Sequence, residues 1–402
     1  MKFKSTILSL VFTIIISALS YAQEDTKVCS CLLLTENEEN DQKVAELAQY
    51  IEASFNASET TAFNEKFDVN SFIKAIGDND VIDMTDEYTK GFMTGIRKTG
   101  SELSKKIVAQ IDEGAYYNLV NYRYIIAEKA YYFTFRLYSN ETGVNYHDYK
   151  VCSDGETLKF NDIYIYLTGE KLSATLQRLF ILSQPSKNPI SRLLGSNSTN
   201  EIVKISESRK LALQGKVKEA YEKINEIKGP MAKEKFTLII KGSYASDFDD
   251  KIYEEILEEF AELYPNDPTL YLKQVDYYIL KEDYQKAIEN IDILIDETGD
   301  DFLNLVKANT YYMNNDYTNA ESSYAYMTVN YPDLFEAYIG QMVCLNYQNR
   351  FDDALKIVKE LLDQGYERDA LLEFLEEKEA DGSNELDAFV NSKIYKQWKL
   401  KS

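Results

Sequence analysis

Glu282-Asp-Tyr-Gln-Lys-Ala287, Asn315-Asp-Tyr-Thr-Asn-Ala320 and Arg350-Phe-Asp-Asp-Ala354 carry one pattern three times: a polar turn, an aromatic residue, and an alanine three positions further on. The alanines are 33 and 34 residues apart. Gly215-Lys-Val-Lys-Glu-Ala220 lies 67 residues before the first of them, which is two such steps, and Tyr253 stands where the intervening member belongs. A period near 34 predicts stacked helix pairs. One pair cannot bury its own apolar face, so neighbours must stack, and a small residue lets two helices approach closely. An array of this kind is a binding scaffold, and nothing in the pattern specifies what it binds.

The pattern resembles the tetratricopeptide repeat (TPR) family. One unit starts near Pro268, with Tyr271 and Tyr278 as first-helix aromatics and Tyr284 opening the second helix. The next starts near Asp301, with Ala308, Tyr311, Tyr317, Ala320, Tyr324 and Pro332 in matching places, and a third starts near Phe335, with Tyr338, Phe351, Ala354 and Leu361. A unit at about 201–234 keeps Leu211, Gly215 and Ala220; one at about 235–267 is degenerate and ends in Tyr264-Pro265. The leucine–glycine pair usual in the first helix is absent. In that family the groove is lined by fixed positions of each first helix. The resemblance places these at Leu272, Asp276 and Ile279; at Leu305, Asn309, Tyr312 and Met313; and at Ile339, Val343, Asn346 and Tyr347. No lysine or arginine is among them, so the family's grip on a chain-terminal carboxylate is not implied.

Residues 1–22 read as a signal peptide. Lys2 and Lys4 precede an apolar run from Ile7 to Ala18, and Ser20-Tyr-Ala22 supplies a small-x-small cleavage site. The run is short for a membrane span of about 20 residues, and no later segment is apolar enough to make one. The expected location is therefore exported, periplasmic or extracellular in a bacterium. Net charge is −23 and most of it falls at about 251–378, which repels phosphates and makes a nucleic-acid partner improbable.

Between the leader and the repeats, residues 23–183 read as an α+β domain. Val44, Leu47, Ile51 and Phe55 mark one amphipathic helix, and Phe92, Ile96, Leu103, Ile107 and Ile111 another. Capping by Asp83 or Thr85 is expected ahead of the second. After Gly114 the period becomes two. Tyr131, Phe133, Phe135 and Leu137 alternate with Tyr132, Thr134, Arg136 and Tyr138. Four strands follow one another at about 116–126, 130–138, 144–152 and 157–167, with a bulge expected at Asn161-Asp162, giving a four-stranded antiparallel meander with helices on one face. Tyr146, Asp148 and Lys150 extend the polar-aromatic face, joined by Tyr164 and Tyr166 depending on the bulge, which motivates a second reading, a small-ligand or glycan-binding module. The domain loosely resembles nuclear-transport-factor-2-like folds, from which the helix expected at Leu172–Ser183 departs. Residues 184–200 read as a linker, 201–378 as the all-α solenoid, and 379–402 as a C-terminal capping helix, with Leu386, Phe389, Val390, Ile394 and Trp398 on its apolar face.

Little chemistry is offered. His147 is the only histidine, and no phosphate loop, nucleophile elbow or metal-binding histidine motif occurs, which removes most hydrolase templates. No enzyme activity, cofactor or metal is expected. Cys29 or Cys31 is placed to join Cys152 in an oxidising compartment, and Cys344 reads as a buried thiol. The expected function is a scaffold or adaptor that binds a protein or peptide through the groove.

Overall fold

A computed structural model describes residues 29–78, 82–139, 143–183, 198–265, 267–378 and 382–401. The leader expected over 1–22 and most of the linker expected over 184–200 lie outside them. The chain divides after Lys273 into two compact units, 1–273 and 274–402.

In the first unit, α1 (Glu38–Asn56) starts at Asn37, whose side chain accepts the Asn40 N–H, and buries Val44, Leu47, Ile51 and Phe55. Two short helices that periodicity did not mark follow, α2 (Thr61–Lys66) and α3 (Val69–Gly77). The long α4 (Glu87–Asp112) is capped by Asp86 through the Thr89 N–H. The cap was expected at Asp83 or Thr85; Asp83 instead binds the Thr85 N–H and hydroxyl in the preceding turn.

The sheet has five strands rather than four: β1 (Tyr116–Ile125), β2 (Ala130–Ser139), β3 (Gly143–Ser153), β4 (Leu158–Ile165) and β5 (Glu170–Lys171), antiparallel in sequence order. The fifth is two residues long, too short to show a period, and pairs Lys171 with Tyr164. Lys150 faces Asp162 while Val151 faces Phe160, leaving Asn161 as the bulged residue at the expected place. A second irregularity, between Leu119 and Asn121, was not anticipated.

The face of β2 with Tyr131, Phe133, Phe135 and Leu137 packs with α1 and α2 into one core. Stacked rings hold its centre, Tyr117 on Phe135 at 4.8 Å and Phe133 on Tyr149 at 4.9 Å. A second core joins α3 and α4 to α5 (Leu172–Ser183) through Phe72, Ile76, Met93, Ile96, Leu176 and Phe180. Cys29 is bonded to Cys152 across 123 residues, beside a bridge in which Ser30 and Ser153 exchange backbone hydrogen bonds. By loop-closure entropy a cross-link of this span stabilises by about 4–5 kcal/mol.

From Ser198 to the end of the first unit the chain is helical: α6 (Ser198–Leu213), α7 (Val217–Asn225), α8 (Lys235–Ala245), α9 (Asp250–Leu263) and the start of α10 (Pro268–Leu280). Of these, α6 packs on α7, α7 on α8 and α8 on α9. The second unit continues with α11 (Tyr284–Thr298), α12 (Asn304–Met313), α13 (Tyr317–Asn330), α14 (Phe335–Tyr347) and α15 (Phe351–Asp363), again packed in succession.

The alanine clock has a geometric counterpart. Gly215, Glu282, Asn315 and Asn349 all have positive φ, between 56° and 76°, and each opens the turn into a second helix. The residue after each, Lys216, Asp283, Asp316 and Arg350, donates its N–H to a carbonyl five residues back. The alanines at 220, 287, 320 and 354 are all 0% exposed. In the degenerate unit the roles are exchanged: Tyr253 is buried, and a Cβ on Gly242 would lie 3.4 Å from its ring. The small residue has moved to the partner helix.

The C-terminal segment differs from the single helix expected at 379–402. After α16 (Arg368–Glu376) come two short helices, α17 (Asp387–Asn391) and α18 (Lys393–Lys401). Ser392 between them is extended, and its hydroxyl accepts the Tyr395 N–H. The break rotates the face, so Tyr395, at 1% exposed, enters the core with Leu386 and Phe389, while Trp398 is only partly buried.

Candidate functional site

The second unit contains a cleft of about 320 Å³ between α12, α13, α14 and the C-terminal segment. That volume is at the low end of the roughly 300–1,000 Å³ usual for ligand sites. One wall is the Tyr324 ring, held by its hydroxyl to Asn309 Oδ1 at 2.5 Å. The ring lies so close to α14 that a Cβ at residue 340 would stand 2.4 Å from it; only glycine fits there. Tyr312 forms another wall and donates to Glu385 Oε1 at 2.6 Å. Burial first, and the Glu385 contact second, hold the Tyr312 hydroxyl well above the usual phenol range. Phe335 and Phe374, edge to face at 5.2 Å, close a third side. Among the described residues two carboxylates, Glu336 and Glu385, complete the lining, and no lysine, arginine or histidine takes part.

The structure distributes the expected groove residues unevenly. Asn309, Tyr312, Ile339 and Val343 line this one cleft. Met313 and Tyr347 are exposed beside it, with Tyr347 stacked on Tyr317 at 4.5 Å. Leu305 is 0% exposed and belongs to the core, offering no surface to a partner. Ile279 is half-buried and Asp276 exposed, and neither lines the cleft. Leu272, in the first unit, is buried.

Asn346 is already occupied. Its amide donates to the Glu385 carbonyl and accepts the Phe389 N–H, both at 2.7 Å, so the chain's own segment 385–389 lies along this part of the groove. The pattern could not reveal this, because Phe374 and Glu385 come from segments outside the repeat. The signal that existed was Gly340, a glycine in mid-helix, where a close approach is the usual reason for the residue.

Much of the polar-aromatic face of the sheet is buried. Tyr132, Thr134, Arg136, Tyr138, Tyr146, Asp148 and Tyr166 are all less than 9% exposed. Asp148 accepts from Arg123 and from Thr134, and Tyr132 donates to Glu128 at 2.5 Å. The following helices of the same unit are tied to the sheet. Lys235 donates to the Gly169 carbonyl at 2.6 Å and pairs with Asp267, and Thr269 donates to the Tyr166 carbonyl at 2.8 Å. These seven residues of the face are thus covered, while Lys150 and Tyr164 stay half-buried.

His147 is buried, and burial lowers its pKa to about 4. Its ring nitrogens are engaged by Tyr117 at 2.9 Å and by Asn145 at 3.1 Å. Cys29, Asp68 and Cys152 lie together, but the two sulfurs are joined to each other and Asp68 accepts three backbone N–H groups. Burial pushes the Cys344 thiol up to about 12, which leaves it a poor nucleophile.

Among the described residues no helix is long and apolar enough to cross a membrane. No family model matches the chain. No curated protein matches it either. A solved structure of MamA (AMB-1) is similar at 13% identity, covering 44% of this chain and 98% of that one, with a TM-score of 0.35. A likeness at that score carries no argument.

Proposed function

We propose that the chain is an exported, non-enzymatic adaptor whose tetratricopeptide-like helix pairs bind a protein or peptide through the groove of the second unit. The observation that carries this is the cleft at Asn309, Tyr312, Ile339 and Val343, four positions on the first helices of two consecutive pairs. The recurrence of the left-handed turn and the buried alanine at a 33–34-residue step supports a repeat array. Segment 385–389, bound through its backbone by Asn346, supports a groove suited to a chain that presents free backbone groups. Export rests on the residue 1–22 pattern and is supported by the Cys29–Cys152 bond, since disulfides persist in oxidising compartments. The absence of catalysis is supported by the commitment of His147 and Cys344 to buried, structural surroundings.

The test is capture of partners from an envelope extract by the mature chain, followed by affinity measurement with Asn309→Ala and Tyr312→Ala. A groove partner loses at least tenfold in affinity with either variant. Unchanged affinity in both would place the binding surface elsewhere.

A further inference from the structure

Resting on that groove reading, we infer that the cleft receives a cationic side chain, arginine or lysine, from the bound segment. The walls and the charges point the same way. Tyr312, Tyr324, Phe335 and Phe374 present aromatic rings, and ring faces attract cations. Glu336 and Glu385 add two carboxylates, and Glu385 is fixed in place by the Tyr312 hydroxyl.

Each other kind of occupant meets a penalty. An anionic side chain would enter beside two carboxylates, in a unit carrying 26 acidic against 12 basic residues, a net −14 over 274–402. An apolar side chain would take water from the Glu336 and Glu385 carboxylates without bringing an opposite charge, which burial of charge makes costly. A cation satisfies the rings and the carboxylates together. Arginine fits best, because its planar guanidinium stacks on rings and binds carboxylates in two-pronged fashion.

Two basic residues of the unit are already engaged. Arg350 pairs with Glu321 and Asp353, and Lys307 pairs with Asp292. The unit also uses this chemistry internally: the Arg368 guanidinium sits 5.1 Å over the Trp398 ring, and Lys399 pairs with Glu376 at 2.5 Å. Helix α18 carries four lysines in nine residues, one of which makes that ion pair beside the apolar packing of Tyr395 and Trp398.

The experiment selects random dodecapeptides displayed on phage against the full chain, then resynthesises the enriched peptides. In parallel copies arginine is replaced by citrulline, and lysine by norleucine. The expected result is enrichment of arginine- or lysine-bearing peptides whose neutral copies bind at least fivefold more weakly. That difference should largely vanish in the Glu336→Gln/Glu385→Gln double variant. Because the peptide changes leave the protein untouched, a misfolded variant cannot imitate the result. A loss of less than fivefold on neutralising the peptide overturns the inference. So does enrichment of peptides without a cation; if their binding still falls with Tyr324→Ala, the groove reading survives. No peptide binding sensitive to Tyr324→Ala or Tyr312→Ala overturns both.

Discussion

Gly340 and His147 show how single residues fix their surroundings. A methyl group at 340 would collide with the Tyr324 ring, whose hydroxyl is tied to Asn309. Gly340→Ala should therefore displace the ring, break that hydrogen bond and cost about 1–3 kcal/mol, as overpacking does. Alanine favours helix over glycine by about 1 kcal/mol, which offsets only part of this. A urea midpoint unchanged or raised would show that the ring yields freely. At His147 the hydrogen bonds decide the protonation state. Asn145 Oδ1 accepts the Tyr146 and Leu167 N–H groups, both at 2.9 Å, so its amide nitrogen faces the imidazole and Nε2 must accept. The proton then sits on Nδ1, toward the Tyr117 hydroxyl. An imidazolium would point N–H at N–H, and burial opposes it as well. The folded pKa of about 4 lies below the ordinary 6.5. The unfolded chain therefore binds a proton that the folded chain refuses between these values. Stability from this group is complete above pH 6.5 and falls as pH drops toward 4, by up to about 3 kcal/mol. Carboxylates titrate in part of the same window, so the comparison is with His147→Gln. The difference in urea midpoint between the two proteins should narrow steadily from pH 7 to pH 4. A constant difference would mean that His147 titrates in the fold as it does in the unfolded chain, and a widening one that it is charged in the fold.

The C-terminal helices are the clearest case of an element whose role depends on one side chain elsewhere. Leu386, Phe389 and Tyr395 join the core of α14, α15 and α16, while Asn346 grips the backbone between residues 385 and 389. Removing that amide leaves the buried Phe389 N–H without its partner, at about 1–3 kcal/mol, and frees the more exposed Glu385 carbonyl, at about 0.5–1.5 kcal/mol. Asn346→Ala should lower stability by about 2–4 kcal/mol and loosen α17 and α18, moving Trp398 emission toward that of free tryptophan. Stability loss without a change in Trp398 emission would show that apolar packing alone holds the tail. Periodicity placed the apolar residues of this segment but not its break. The extended backbone at Ser392, which rotates Tyr395 inward, is set by docking against Phe389 rather than by helical preference. The same limit applies in the first unit. Alternation along β2 identified which residues share a face, yet it could not show that Tyr132, Thr134, Arg136 and Tyr138 on the second face are buried as well.

At the scale of the whole chain, what was legible in sequence is what repeats. Alanines that must be buried and turn residues that must turn left recur at fixed steps, so the paired helices from Pro268 to Asp363 follow from spacing alone. The cleft was half legible for the same reason. Asn309, Tyr312, Ile339 and Val343 occupy recurring positions, whereas Phe374 and Glu385 arrive from segments that belong to no repeat. Charge is the other property readable without coordinates, and it carries a consequence for stability. The chain bears −23, and exposed pairs such as Lys216–Glu219 and Lys286–Asp283 contribute only about 0–1 kcal/mol each. Salt weakens these attractions and the self-repulsion of the acidic surface together. Repulsion is the longer-ranged and the more numerous set, so it should dominate. Raising ionic strength from 0.01 M to 0.15 M shortens the screening length from about 30 Å to about 8 Å, which removes distant repulsion while sparing contacts near 3 Å. The midpoint of thermal unfolding should therefore rise over this range, and most of the rise should be complete by 0.15 M. Docking of α17 and α18 should persist through it, because Phe389 and Tyr395 are buried and their packing is not electrostatic. A midpoint that falls with salt would show that ion pairs, not repulsion, govern the stability of this acidic chain.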